Sequence, residues 1–77
     1  MSEKHADKYQ IIGQTIKKYR KEKHLTQEQL ADKICISISY LTKIEAINCY
    51  QPFSLEVLFD IAEALDIPIT QLFENIE

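Results

Sequence analysis

No apolar run in the 77 residues approaches the roughly 18 that a membrane span requires, so no segment is expected to cross a bilayer. Residues 1–8 are polar and carry both charge signs, without the apolar stretch of a secretory signal, and a cytoplasmic location is expected. Glycine occurs once, which excludes a Gly-rich phosphate loop, and no nucleophile stands in a recognisable pattern with a base; an enzyme is not expected. Cysteine occurs twice, as Cys35 and Cys49, with no Cys-x-x-Cys pair. In a reducing compartment these read as free thiols used as small apolar residues. His5 and His24 have no helical or hairpin spacing to either cysteine, so no metal and no cofactor are expected.

The second half of the chain lacks basic residues altogether. Residues 1–45 hold nine Lys or Arg against six Asp or Glu, whereas residues 46–77 hold six acids and no base. The net charge of −3 therefore averages a balance of +3 with one of −6, and a polyanion would dock on the first half. A chain this short has room for one domain, which buries only about 60–65% of the surface exposed on unfolding.

What is present is a series of helix starts. Thr26 is followed three residues later by Gln29, a capping box, with Leu25 and Leu30 at the positions of a hydrophobic staple. Eleven residues on, Ser37 caps in the same way, with Ile36 and Leu41 as its staple. These starts leave room for a short helix over residues 27–34, a turn at Cys35 and Ile36, and a second short helix to about Glu45, a helix-turn-helix outline. Upstream, Tyr9, Ile12, Ile16 and Tyr19 recur at helical spacing and predict an amphipathic helix over residues 8–23. Downstream, Phe53 and Ser54 open a helix whose Leu55, Leu58, Ile61, Ala62 and Leu65 form one apolar stripe facing the core. Asp66-Ile67-Pro68 breaks it, and a last short helix over residues 69–74 presents Leu72 and Phe73. No run alternates with a period of two. The fold class is thus all-α, a compact five-helix domain over residues 8–77 behind a flexible tail at residues 1–7.

The pattern Ile12-Gly13, Ile16, Arg20, Leu25-Thr26-Gln27, Leu30-Ala31, Ile34, Ser37, Tyr40-Leu41, Ile44-Glu45, Leu58, Ile61-Ala62, Ala64-Leu65 and Leu72-Phe73 resembles the phage-repressor, or Cro-like (XRE), helix-turn-helix family with its lambda-repressor-like fold. That resemblance implies sequence-specific binding of double-stranded DNA by a transcriptional regulator, with the helix over about residues 37–45 in the major groove. It implies base contact from Ile38, Ser39 and Thr42, DNA contact also from Ser37 and Tyr40 of the same helix, and a phosphate contact from Gln27 at the positive end of its helix. Lys17 and Lys18 are expected to add charge against the backbone, and Lys43 reaches either a guanine edge or a phosphate. Ile38 is apolar where the family often has a polar or basic residue, which favours a thymine methyl. His24 and Cys35 stand where glycine is common because the backbone takes φ > 0. The loop over residues 46–53 is about two residues longer than the usual pattern, with its contribution to DNA contact or to a dimer left open.

One such domain reads few base pairs, so a homodimer on a pseudo-palindromic operator is expected, and no small-molecule ligand. Val57, Phe59, Ile69, Phe73 and Ile76 are the apolar candidates for the dimer interface. The alternative is a protein-protein interaction module on the same scaffold, binding through the acidic second half. Arg20 is the single arginine beside eight lysines, which suggests a place where a planar, multiply donating group is needed. The family resemblance pairs it with Glu45 as a structural salt bridge; the other reading makes it one more member of the basic surface.

Overall fold

Residues 4–47 and 49–76 are described by a computed structural model, in which the chain is helical from Ala6 onward. Four α-helices follow one another, α1 (Ala6–Glu22), α2 (Gln27–Lys33), α3 (Ile38–Glu45) and α4 (Leu55–Leu65), and a 3₁₀ helix covers Ile69–Phe73. No strand forms among the described residues. The expected five α-helices are therefore four. The last segment is only five residues long and starts after Pro68, so it closes on i to i+3 bonds such as Gln71 N to Pro68 O (3.0 Å) instead of an α ladder. Helix α1 begins two residues before the expected Lys8, at a His5 cap whose side chain makes no capping bond to the helix backbone and so leaves no mark in the sequence. Of the expected tail, residues 1–3 lie outside the described residues, and Ala6 and Asp7 belong to α1.

Side chains fix the starts of the other helices. The Thr26 hydroxyl accepts from Gln29 N (3.0 Å) while the Gln29 amide oxygen accepts from Thr26 N (2.9 Å), the complete capping box. Ser37 accepts from Tyr40 N (3.0 Å) at the head of α3, and Ser54 from Val57 N (3.2 Å) at the head of α4.

Three helix ends share one geometry. After α1, His24 at φ 60° gives bonds from Leu25 N to Arg20 O (3.1 Å) and from His24 N to Lys21 O (3.0 Å). Cys35 at φ 60° and Asp66 at φ 58° repeat this pair of bonds after α2 and α4. Each is a Schellman motif closed by a non-glycine residue in the left-handed region.

The single glycine is used elsewhere. A Cβ at Gly13 would overlap the carbonyl oxygen of Ile44, so α1 and α3 cross at backbone contact, and the Gln14 amide donates to Glu45 O (2.6 Å) beside the crossing. The core below it comprises Ile12, Ile16, Leu30, Ala31, Leu41, Ile44, Leu58, Ile61, Ala62, Leu65 and Leu72. Leu55 does not join this core: it opens α4 at the margin of the buried stripe, one turn before Phe59, and faces solvent. The 46–53 loop is fastened by aromatics, with the Tyr9 ring in T-shaped contact with Tyr50 and Phe53 at centroid distances of 5.8 and 4.9 Å. Among the described residues no helix is long and apolar enough to cross a membrane.

Candidate nucleic-acid interface

The turn closed by Cys35 sets α3 across α2, with Leu30, Ala31, Leu41 and Ile44 buried at the contact. This leaves Ile38, Ser39, Thr42 and Lys43 exposed on the opposite side of α3. Ser37 is occupied as the cap, and Tyr40 is half-buried with its hydroxyl 3.5 Å from Pro52 O, so these two hold the helix in place.

Behind the exposed face lies a connected polar group. The Arg20 guanidinium donates from Nε to Glu45 Oε2 (2.9 Å), from Nη2 to Glu45 Oε1 (3.0 Å) and from Nη1 to Leu25 O (2.7 Å). Its side chain and that of Glu45 are 8% and 2% exposed. Glu45 Oε1 also accepts from Gln27 Nε2 (3.0 Å), and the Gln27 amide oxygen accepts from the Thr42 hydroxyl (3.1 Å). The Thr42 hydroxyl lies 2.8 Å from Ile38 O as well. Thr42, expected at a base edge, thus has its hydroxyl turned to Gln27. Sequence reasoning did not foresee the Gln27 and Thr42 links, although Ile38, Thr42 and Glu45 fall at i, i+4 and i+7 on one face of α3.

The basic residues divide. Lys17 and Lys21 follow Gly13 at steps of four, on the face of α1 that meets α3. Lys18, expected beside Lys17 on the same surface, is instead a quarter-turn around the helix. Its Nζ sits 2.9 Å from Glu74 Oε2 and 4.9 Å from the Tyr19 ring centre, and the Tyr19 hydroxyl donates to Glu74 Oε1 (2.6 Å). Hydrogen bonds from Tyr19 and Lys18 hold the Glu74 carboxyl below the usual carboxylate range, and the bond to Glu74 raises both the Lys18 ammonium and the Tyr19 phenol. Lys18 therefore ties α1 to the C-terminal segment, on a different side of α1 from Lys17.

The apolar candidates of the second half also divide. Val57, Ile69, Phe73 and Ile76 are partly buried against the core, whereas Phe59 is 52% exposed and Leu55, one turn away, 60%. Glu56, Glu63 and Asp66 on the same helix and its end are exposed. Cys35 is exposed and Cys49 half-buried, both as free thiols.

A profile described as helix-turn-helix matches residues 16–72. The immunity repressor protein of Bacillus phage phi105 is 48% identical over 61 residues, which are 79% of this chain and 41% of that protein. The HTH-type transcriptional regulator SinR of Bacillus subtilis is 38% identical over 65 residues, 84% of this chain and 58% of that protein. The chain thus spans about two-fifths to three-fifths of the length of these relatives. Among solved structures, the restriction-modification controller protein C.AhdI from Aeromonas hydrophila superposes with a TM-score of 0.78 at 32% identity, over 84% of this chain and 96% of that one. SinR solved in complex with DNA superposes with a TM-score of 0.74 at 38% identity, over 82% of this chain and 98% of that one.

Proposed function

The chain belongs to the phage-repressor type of helix-turn-helix family, whose members here are DNA-binding regulators and not enzymes, and from that premise we propose that it binds a specific duplex site as a homodimer to regulate transcription. In this reading the domain, which begins with α1 at Ala6, lays α3 in the major groove, where Ile38 and Ser39 meet base edges and Lys43 a guanine or a phosphate. Gln27 anchors a phosphate at the head of α2, aided by the dipole of that helix and by the charge of Lys17.

One observation carries the reading: the Gln27 amide is fixed by the buried Arg20–Glu45 pair directly beside the exposed face of α3. Such a pre-set donor next to an unoccupied helix face suits a backbone anchor flanking a groove-reading surface. Selection of duplexes from a random pool tests it. A pseudo-palindrome with half-site centres about 10 base pairs apart is expected, bound with an affinity that falls steeply with salt. No enrichment, or a site without two-fold relation, overturns the proposal. The exposed Leu55 and Phe59 on an acidic face favour one second reading, a protein-binding module, for which duplex binding would be weak and unselective.

A further inference from the structure

We propose that Thr42 is a positioning residue: its hydroxyl, with Glu45, sets the amide of Gln27 in one orientation before any partner arrives, and it does not itself read a base. This rests on the DNA-binding reading above.

A glutamine amide offers two N–H donors and one acceptor oxygen, and its two ends differ little in size, so its orientation is decided by neighbours. Here the neighbours are unequal. Glu45 Oε1, 3.0 Å from Gln27 Nε2, belongs to a carboxylate that accepts only. Turning the amide over would set oxygen against oxygen next to a buried charge. On the other side the Thr42 hydroxyl lies 3.1 Å from the amide oxygen and is the donor this end faces, its one proton shared with Ile38 O at 2.8 Å. Glu45 is in turn immobilised by two bonds from Arg20, and its own carbonyl by Gln14. The Gln27 amide is therefore held at both ends, with one N–H left over, and that N–H is the group available to an anionic oxygen.

The same geometry removes Thr42 from the reading surface. Its hydroxyl has a single proton with two acceptors already in reach, Gln27 Oε1 and Ile38 O at 2.8 Å. Donating to a base edge would require giving up the bond to Gln27, and with it the orientation of the anchor, so only the acceptor side of the hydroxyl remains open. Ile38 and Ser39, which have no such tie to Gln27, remain as the readers. Position 42 then acts on affinity through a neighbour, uniformly over sequences, while the adjacent turn of α3 acts on selectivity.

The experiment compares Thr42→Val, which keeps the shape and deletes the hydroxyl, with Thr42→Ser, which restores it. In the DNA-free protein, Thr42→Val is expected to move the Gln27 side-chain amide resonances and speed their exchange with solvent, and Thr42→Ser to leave them near the wild type. In duplex binding, Thr42→Val is expected to weaken every sequence alike by roughly 2- to 10-fold, the worth of one hydrogen bond. The base preferences from the selected pool stay unchanged, and Thr42→Val with Gln27→Ala is no weaker than Gln27→Ala alone. A changed preference at one base pair, additive losses, or an unmoved Gln27 amide in Thr42→Val each overturn the proposal. A wild-type chain that binds no duplex overturns the DNA-binding reading instead, and the amide spectrum then decides the hold of Thr42 on Gln27 by itself.

Discussion

Arg20 and Glu45 face each other as a fork against a carboxylate, with N to O distances of 2.9 and 3.0 Å, and both side chains are almost completely buried. The third donor, Nη1, reaches Leu25 O at 2.7 Å, so one guanidinium joins α1, the turn before α2 and the end of α3. A lysine offers one point charge and no fork, so Arg20→Lys is expected to destabilise the domain although the charge is kept. Removing one partner outright, as in Arg20→Ala, leaves a buried charge uncompensated and is expected to cost about 3–5 kcal/mol. Thermal melts of Arg20→Lys, Glu45→Gln and the double mutant, made without DNA, check this. Small additive losses would return Arg20 to the basic surface.

Gly13→Ala reverses an ordinary rule. In an exposed helix interior alanine is favoured over glycine by about 1 kcal/mol. Here the added methyl meets the Ile44 carbonyl, and since this is backbone, α1 and α3 must move apart. A net loss of about 1–3 kcal/mol is expected, with reduced affinity for DNA because α3 is re-aimed. A melting temperature equal to or above that of the wild type would show that the crossing relaxes freely.

Cys35→Gly is expected to stabilise. At φ 60° a side chain costs roughly 1–2 kcal/mol, partly offset by the greater freedom of glycine in the unfolded chain, for a net gain of up to about 1 kcal/mol. His24→Gly, at the same φ, gains less because histidine is better tolerated there. Denaturant midpoints of the two variants give the order, and a loss in Cys35→Gly would mean that the thiol makes a compensating contact.

The parts of this fold that were legible in the sequence are those written in local chemistry. Thr26 with Gln29, and Ser37, announce their helices because a cap is satisfied within four residues. The stripe Leu58, Ile61, Ala62 and Leu65 is readable because burial follows the helical period. Illegible were features that depend on where a distant element lies. Leu55 obeys the same period as its neighbours, yet nothing packs over the margin of α4. Lys17 and Lys18 are adjacent in sequence, but the partner of Lys18 lies in the C-terminal segment, 56 positions away. The Gln27 to Thr42 bond spans two helices and follows only from their crossing. The fifth helix was legible as an element and illegible as a type, since one short turn after Pro68 satisfies both α and 3₁₀ patterns.

Lys17→Ala and Lys18→Ala are expected to differ. The first lowers affinity for all duplexes and reduces the salt slope by about one; the second leaves the slope and loosens the C-terminal segment. The tie there depends on pH. The Glu74 pKa is lowered from its ordinary 4.5, so its contribution is full above that value and is lost as pH falls through the lower folded value. Lys18 and Tyr19 are raised from 10.5 and 10.0, so their contribution is full below pH 10.0 and is lost as pH rises through the folded values. Protection of the Ile76 amide against exchange, relative to its intrinsic rate at each pH, should therefore fall in acid, since its N–H is bonded to Phe73 O at 3.0 Å, and Glu74→Gln should abolish that change. A protection factor that does not change with acid would disconnect the ion pair from the segment.

Leu55 and Phe59 stand exposed one turn apart on α4. Burying these two side chains from each partner removes a few hundred Å², well below the roughly 800 Å² per partner of a stable interface, so a contact built around them is weak in free solution and is completed on DNA. Because residues 46–77 contain no basic residue, a symmetric contact through α4 also brings the acids Glu56, Glu63 and Asp66 of the two copies together without a compensating base from that half. Like charges at that range repel, and salt screens them over about 8 Å at physiological strength. Self-association is therefore expected to tighten with added salt while DNA binding weakens, two opposite slopes from one molecule. Phe59→Ser should abolish association in sedimentation and the cooperative filling of two half-sites, yet leave the melting temperature nearly unchanged, since the ring is half exposed in the monomer. Dimerisation that weakens with salt, or survives Phe59→Ser, would place the interface away from α4.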